Sequence, residues 1–219
     1  MEKTRILLVE DNPEYAALAG QCLRTFPNLE VDIAHDYETA RQNIEEKEYS
    51  GIIVDIFFPK KTGSTDKKLG IEAFYRVLEI LPGVYDISAN LLASFGRSFR
   101  RGGQLPDDRY LDDITNEERI NEGLVSLKED IQDSDEAKQP LGILLMEELT
   151  QKGIPYVVAT SGHHHDLSYE PIFHCFYRSP LNIGREAIIE SYGDFNKSQL
   201  EYWETVCTKF IDTMGGETK

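Results

Sequence analysis

Apolar runs of strand length alternate with helix-period stretches along the first sixty residues. Residues 4–9 contain the run Ile6-Leu7-Leu8-Val9, and residues 51–57 contain Ile52-Ile53-Val54; between them Leu29, Val31 and Ile33 alternate with polar neighbours. Asn12-Pro13 opens a predicted helix with Ala16, Leu18, Ala19, Cys22 and Leu23 facing inward, and Asp36 caps a second one running to about Lys47. The result is a βαβαβ start. Near-continuous apolar strands of this kind belong to a parallel sheet covered on both faces.

The pattern resumes near residue 140. Leu141, Leu144, Leu145 and Leu149 mark an amphipathic helix that Gly153-Ile154-Pro155 ends, and residues 156–160 read as a fourth strand. Residues 172–177 read as a fifth. A last helix begins near Asn196, where Gln199 would complete a capping box, with Leu200, Trp203, Cys207, Phe210 and Met214 on one face. The fold class expected is α/β: a flavodoxin-like, doubly wound, five-stranded parallel sheet with a helical insertion after the third strand. Residues 1–59 and 140–219 form the sheet domain and residues 60–139 the insertion. Inside the insertion, Gly70, Ala73, Phe74, Val77, Leu78 and Leu81 form one stripe. Thr115 with Glu118 is a capping signature ahead of Ile120, Leu124, Leu127 and Ile131.

Composition narrows the class. The formal charge is 23 − 39 = −16 and the pI about 4.7, which disfavours nucleic acid and anionic membranes as partners. No stretch reaches the ~18 apolar residues of a membrane span. The N-terminus enters a strand at once, so no signal peptide is expected. Cys22, Cys175 and Cys207 are scattered and odd in number, as in a protein of the reducing cytoplasm.

Candidate chemistry gathers at strand ends. Glu10 and Asp11 follow the first strand, and Asp55 ends the apolar part of the third. Adjacent parallel strands would bring these carboxylates to one crevice, where open α/β sheets bind ligands. Three such groups repel one another unless a hard cation lies among them, and oxygen donors of this kind suit Mg²⁺. An acidic pocket with one projecting aspartate is a candidate site for a phosphoryl group.

These residues resemble the receiver domain of two-component response regulators. The opening run through Glu10-Asp11-Asn12 is similar to that family's first strand and acidic pair. Asp55 falls at the phosphoacceptor position, Phe58-Pro59 with Gly63 resembles the following loop, and Thr160 ends the fourth strand as a family Thr or Ser does. The likeness covers residues 4–60 and about 140–213. It implies Mg²⁺ held by Glu10, Asp11, Asp55 and the backbone carbonyl of Phe57. Asp55 would accept a phosphoryl group from a histidine kinase or phosphotransfer protein, Thr160 would bind the aspartyl phosphate, and Phe176 would be the switch aromatic. The family's lysine before a proline is replaced, because Pro180 aligns Ser179 with it, and Arg178 is one residue off and faces the other way on a strand.

The function expected is phosphorelay signalling by a cytoplasmic phosphoprotein rather than catalysis of a metabolic reaction. Output would pass to a downstream protein partner through protein–protein contacts, with the 60–139 insertion as the contact region. The alternative is a pseudo-receiver that is never phosphorylated and binds its partner constitutively. A phosphohydrolase with an aspartate nucleophile would need an acid two residues on, where Phe57 stands. His163-His164-His165 reads first as a solvated loop, with a transition-metal site and a proton-dependent substitute for the missing lysine as the alternatives. The basic group Arg97, Arg100 and Arg101 reads as a solvated or internally paired patch, since Asp107, Asp108, Asp112 and Asp113 follow it.

Overall fold

The computed structural model describes residues 4–81, 116–133, 139–162, 166–176, 181 and 187–215. Twelve elements are defined among them: β1 (Thr4–Val9), α1 (Pro13–Leu23), β2 (Leu29–Ala34), α2 (Tyr37–Glu46), β3 (Gly51–Val54), α3 (Lys68–Ile80), α4 (Asn116–Asp133), α5 (Gly142–Lys152), β4 (Tyr156–Ala159), α6 (Glu170–Phe176), β5 (Ile188–Ile189) and α7 (Leu200–Gly215). The strands form one sheet in the order β2-β1-β3-β4-β5, and each pairing is parallel. This is the flavodoxin-like order, with its switch of direction between β1 and β3.

Strand periodicity divides the core. Ile6 and Leu8 of β1, Ile53 of β3 and Val157 of β4 face α1 and α7, where they meet Ala19, Leu23, Trp203 and Phe210. Leu7, Val9, Ile52, Val54 and Val158 face the opposite way, onto α2, α3, α4, α5 and α6. Successive strand residues point to opposite faces, so unbroken apolar runs fill both layers. Gly51 is a close approach: a Cβ there would lie 2.8 Å from the Phe210 ring.

Local signals set the helix ends. The Asn12 side chain accepts from the backbone N–H of Glu14 at 2.9 Å, with Pro13 in the first turn of α1. Asp36 accepts from Thr39 N–H at 2.8 Å and begins α2. Gly153 ends α5 with φ 67°, the left-handed conformation that glycine tolerates best. Between β3 and α5, α3 and α4 carry the expected apolar stripes: Ala73 and Val77 on one, Ile120, Leu124, Leu127 and Ile131 on the other, all buried. The two helices pack on each other and on α6.

Two sequence expectations are corrected. Residues 172–176, expected in the fifth strand, are helical, because α6 spans Glu170–Phe176 with Pro171, Ile172, Phe173, Cys175 and Phe176 buried; Tyr177 lies outside the described residues. A short apolar run buried on all sides has no periodicity to separate strand from helix, and the two-residue β5 at Ile188–Ile189 is too short to leave a pattern. The last helix starts at Leu200, after a turn in which Gln199 N–H donates to Asn196 O at 2.9 Å. The Gln199 side chain donates to Ser198 Oγ rather than closing a capping box. No helix among the described residues is long and apolar enough to cross a membrane.

Candidate functional site

The C-terminal ends of β1, β3 and β4 meet at one edge of the sheet. Glu10 follows β1, where its N–H donates to Ala34 O at 3.0 Å, and the N–H of Asp55 donates to Val9 O at 3.1 Å. Ladder bonds therefore continue one residue past each strand and hold the two acids side by side. Carboxylate oxygens of Glu10, Asp11 and Asp55 lie within 4.8 Å of one another. Glu10 is 1% and Asp55 4% exposed.

Lys197 completes the cluster. Its Nζ lies 2.7 Å from Glu10 Oε2 and 2.7 Å from Asp55 Oδ2, and the residue is 1% exposed. The turn before α7 positions it: the Trp203 indole N–H donates to the Lys197 carbonyl at 2.8 Å, and the Trp203 ring centroid is 5.9 Å from Nζ. Asp55 Oδ1 accepts from the N–H of Ile56 at 2.7 Å, and Glu10 Oε1 from the N–H of Asn12 at 3.1 Å. A buried charge persists only when it is paired and hydrogen-bonded, and these contacts meet that requirement.

Electrostatics within the group are opposed. Burial raises the Asp55 pKa, Lys197 lowers it and Glu10 raises it again, leaving the carboxyl pushed up to about 6. Burial disfavours the Lys197 ammonium, but Asp55 and Glu10 outweigh it and hold the lysine well above its ordinary value.

Thr160 follows β4 and is fully buried. Its N–H donates to Ile189 O at 3.1 Å, and its Oγ1 accepts from the N–H of Gly162 at 3.1 Å. Its carbonyl accepts from Ser191 Oγ at 2.9 Å and from the Tyr202 hydroxyl at 3.1 Å. Phe57 lies just beyond Asp55, its ring centroid 4.7 Å from that of Tyr169.

Glu10, Asp11 and Asp55 are brought together as expected. Phe176 is not on the fifth strand: it is a buried α6 residue packed edge-on against Phe173, so the strand position that suggested a switch role does not exist. Arg178, Ser179, Pro180, His163, His164 and His165, with the Arg97–Arg101 group, lie outside the described residues. Sequence reasoning missed Lys197 and Tyr169. Both belong to loop segments where no periodicity operates, and Pro180 drew the search for a lysine toward residue 179.

The site fits a divalent cation on its donor chemistry. Three carboxylates, those of Glu10 and Asp55 buried and that of Asp11 partly exposed, and one buried ammonium leave a formal charge of −3 + 1 = −2 among these oxygen donors. That is the charge and ligand type a hard divalent cation satisfies. Glu10, Asp11 and Asp55 would hold it.

No family model matches the chain. No curated protein matches it either. Among solved structures, a bacteriophytochrome response regulator is similar at 15% identity over 96% of this chain and 94% of that one, with a TM-score of 0.36.

Proposed function

We propose that this protein is a receiver-like signalling module that accepts a phosphoryl group on Asp55, with Mg²⁺ held by Glu10, Asp11, Asp55 and the Phe57 carbonyl. The observation that carries this reading is Lys197 bridging Glu10 and Asp55 at the sheet edge, beside Asp11. A cation that ion-pairs the acceptor carboxylate is positioned to pair with a phosphoryl oxygen once that carboxylate becomes an acyl phosphate. Lys197 thus supplies the positive charge that Ser179 does not.

In the transfer, an Asp55 carboxylate oxygen forms a bond to phosphorus as the bond to the donor's leaving group breaks. From a phosphohistidine the departing imidazole nitrogen keeps the electron pair and takes a proton. Bound Mg²⁺ would supply charge neutralisation for the transferring group. Asp55 must first release Lys197, whose ammonium then meets the new phosphoryl oxygens. Thr160 Oγ1 accepts from Gly162 N–H and lies beside the Tyr169 hydroxyl, so its O–H would have to turn from Tyr169 to donate to the phosphoryl group. The phosphodonor would be a histidine kinase or phosphotransfer protein, and a downstream protein would read the change in surface, with α3 and α4 as the contact region.

The test is incubation with Mg²⁺ and acetyl phosphate followed by intact-mass measurement. A gain of about 80 Da that Asp55→Asn removes supports the reading. One observation favours the second reading, a pseudo-receiver that binds a partner constitutively: both Asp55 oxygens are already engaged, Oδ1 by Ile56 and Oδ2 by Lys197. Absence of the adduct together with absence of any Mg²⁺-dependent stabilisation would select it.

A further inference from the structure

We propose that Tyr169 is a gate over Asp55 and that the insertion helix α4 holds the gate shut. As regulation of phosphorylation, this rests on the reading of Asp55 as phosphoacceptor; as control of access to the carboxyl group, it stands on geometry alone.

Three contacts place the Tyr169 ring over the site. It packs against Phe57, two residues beyond Asp55, at a centroid distance of 4.7 Å. It crosses the backbone at Gly162, two residues beyond Thr160, so closely that a Cβ on Gly162 would lie 1.9 Å from the ring. Its hydroxyl is within reach of the Ser161 and Thr160 side chains and feels the Asp55 charge; burial first, and then that charge, push its pKa up to about 12. Tyr169 is half-buried while Asp55 is closed off, as a ring on the solvent side of the carboxyl group requires. In this proposal a phosphodonor that approaches Asp55 past Phe57 and Gly162 displaces the ring.

The ring goes where α6 goes. The Tyr169 carbonyl accepts from Phe173 N–H at 3.0 Å, the first helical bond of α6, and Tyr169 N–H donates to Asp166 O at 3.0 Å. Helix α4 presses on this segment at two points. Arg119 forms an ion pair with Glu170, the neighbour of Tyr169. Gly123 lets the two backbones approach so closely that a Cβ would lie 2.4 Å from Leu167 O and 2.7 Å from the Pro171 ring. A partner that draws α4 away therefore loosens the residues on both sides of Tyr169. The insertion then acts as a clamp on the gate, and its occupancy is coupled to access at Asp55.

The experiment measures access with and without phosphoryl chemistry. A water-soluble carbodiimide with a small amine modifies accessible carboxyl groups, and peptide mass mapping reads the rate at Asp55. Acetyl phosphate with Mg²⁺ gives the phosphorylation rate on the same proteins. Tyr169→Ala is expected to raise the carbodiimide rate about tenfold and Arg119→Ala several-fold, whereas Lys61→Ala, at an exposed pair with Glu38, leaves it unchanged. Arg119 is partly exposed and its loss leaves the core intact, so that variant tests the clamp even if Tyr169→Ala fails to fold. An unchanged rate in a folded Tyr169→Ala, or in Arg119→Ala, overturns the gate or its clamp respectively. Faster carbodiimide reaction with no phosphoryl adduct in any variant keeps the gate and defeats the phosphoacceptor reading instead.

Discussion

Lys197 Nζ lies 2.7 Å from Asp55 Oδ2 and the same distance from Glu10 Oε2, with all three residues shielded from water. Coulomb attraction in such a place is strong, but so is the desolvation it must offset. The asymmetry appears when one partner is removed. Lys197→Met leaves two carboxylates buried together without a counter-charge. We expect a loss of about 3–5 kcal/mol in urea unfolding at pH 8, and no phosphoryl adduct. Lys197→Met combined with Asp55→Asn is expected to lose less than the sum of the single changes, as a double-mutant cycle would register.

The raised pKa of Asp55 gives a pH signature of definite sign. The unfolded carboxyl releases its proton near 3.8, the folded one near 6. Between those values the folded state holds more protons, so this group favours folding at low pH and the benefit disappears as pH rises through about 6. Relative to Asp55→Asn, the wild type should lose about 2 kcal/mol between pH 4 and pH 7. Saturating Mg²⁺ should flatten that slope, because the cation favours the ionised carboxylate. Denaturant titrations of the two proteins at matched pH measure the difference. A wild type that gains stability over the same interval would contradict the assignment.

Trp203 is the chain's single tryptophan, and its ring sits 5.9 Å from the Lys197 ammonium, with its indole N–H on the Lys197 carbonyl. Any ligand that draws Lys197 off Asp55 changes the charge beside the indole. Mg²⁺ is therefore expected to change intrinsic fluorescence saturably, and Asp11→Asn to weaken that response by about tenfold in apparent Kd. The same Mg²⁺ titration should raise Tm, since a ligand bound only by the folded state stabilises it.

Gly142 at the head of α5 donates its N–H to Ile56 O at 3.0 Å, and a Cβ there would lie 2.4 Å from Asp55 O and 2.8 Å from Ile56 Cα. Those atoms are backbone and cannot swing aside. Gly142→Ala is expected to cost about 1–3 kcal/mol and to move Asp55 off its ladder position, reducing acetyl phosphate labelling more than stability alone explains. Circular dichroism melts and intact-mass time courses on one preparation separate the two effects.

Local order was legible wherever a repeating pattern or a capping residue acted. The runs at Ile6-Leu7-Leu8-Val9 and Ile52-Ile53-Val54 form two adjacent strands, and their pattern alone places Glu10, Asp11 and Asp55 at neighbouring strand ends. Asn12, Asp36 and Gly153 marked helix boundaries through hydrogen bonds and dihedrals that depend only on near neighbours in sequence. The apolar stripe of α4 showed the same logic within the insertion.

Four of the five strands, their layering and the acidic lip were already encoded in the order of the residues, because strand and helix periodicities are properties of a residue and its immediate neighbours. Tertiary structure alone decided that residues 172–176 are helical, that the last strand is Ile188–Ile189, and that Lys197 rather than residue 179 faces Asp55. It also laid Tyr169 across Gly162 and against Phe57. These are contacts between segments far apart in the chain, fixed by which surfaces must be buried and which charges must be paired, and no local spacing encodes them.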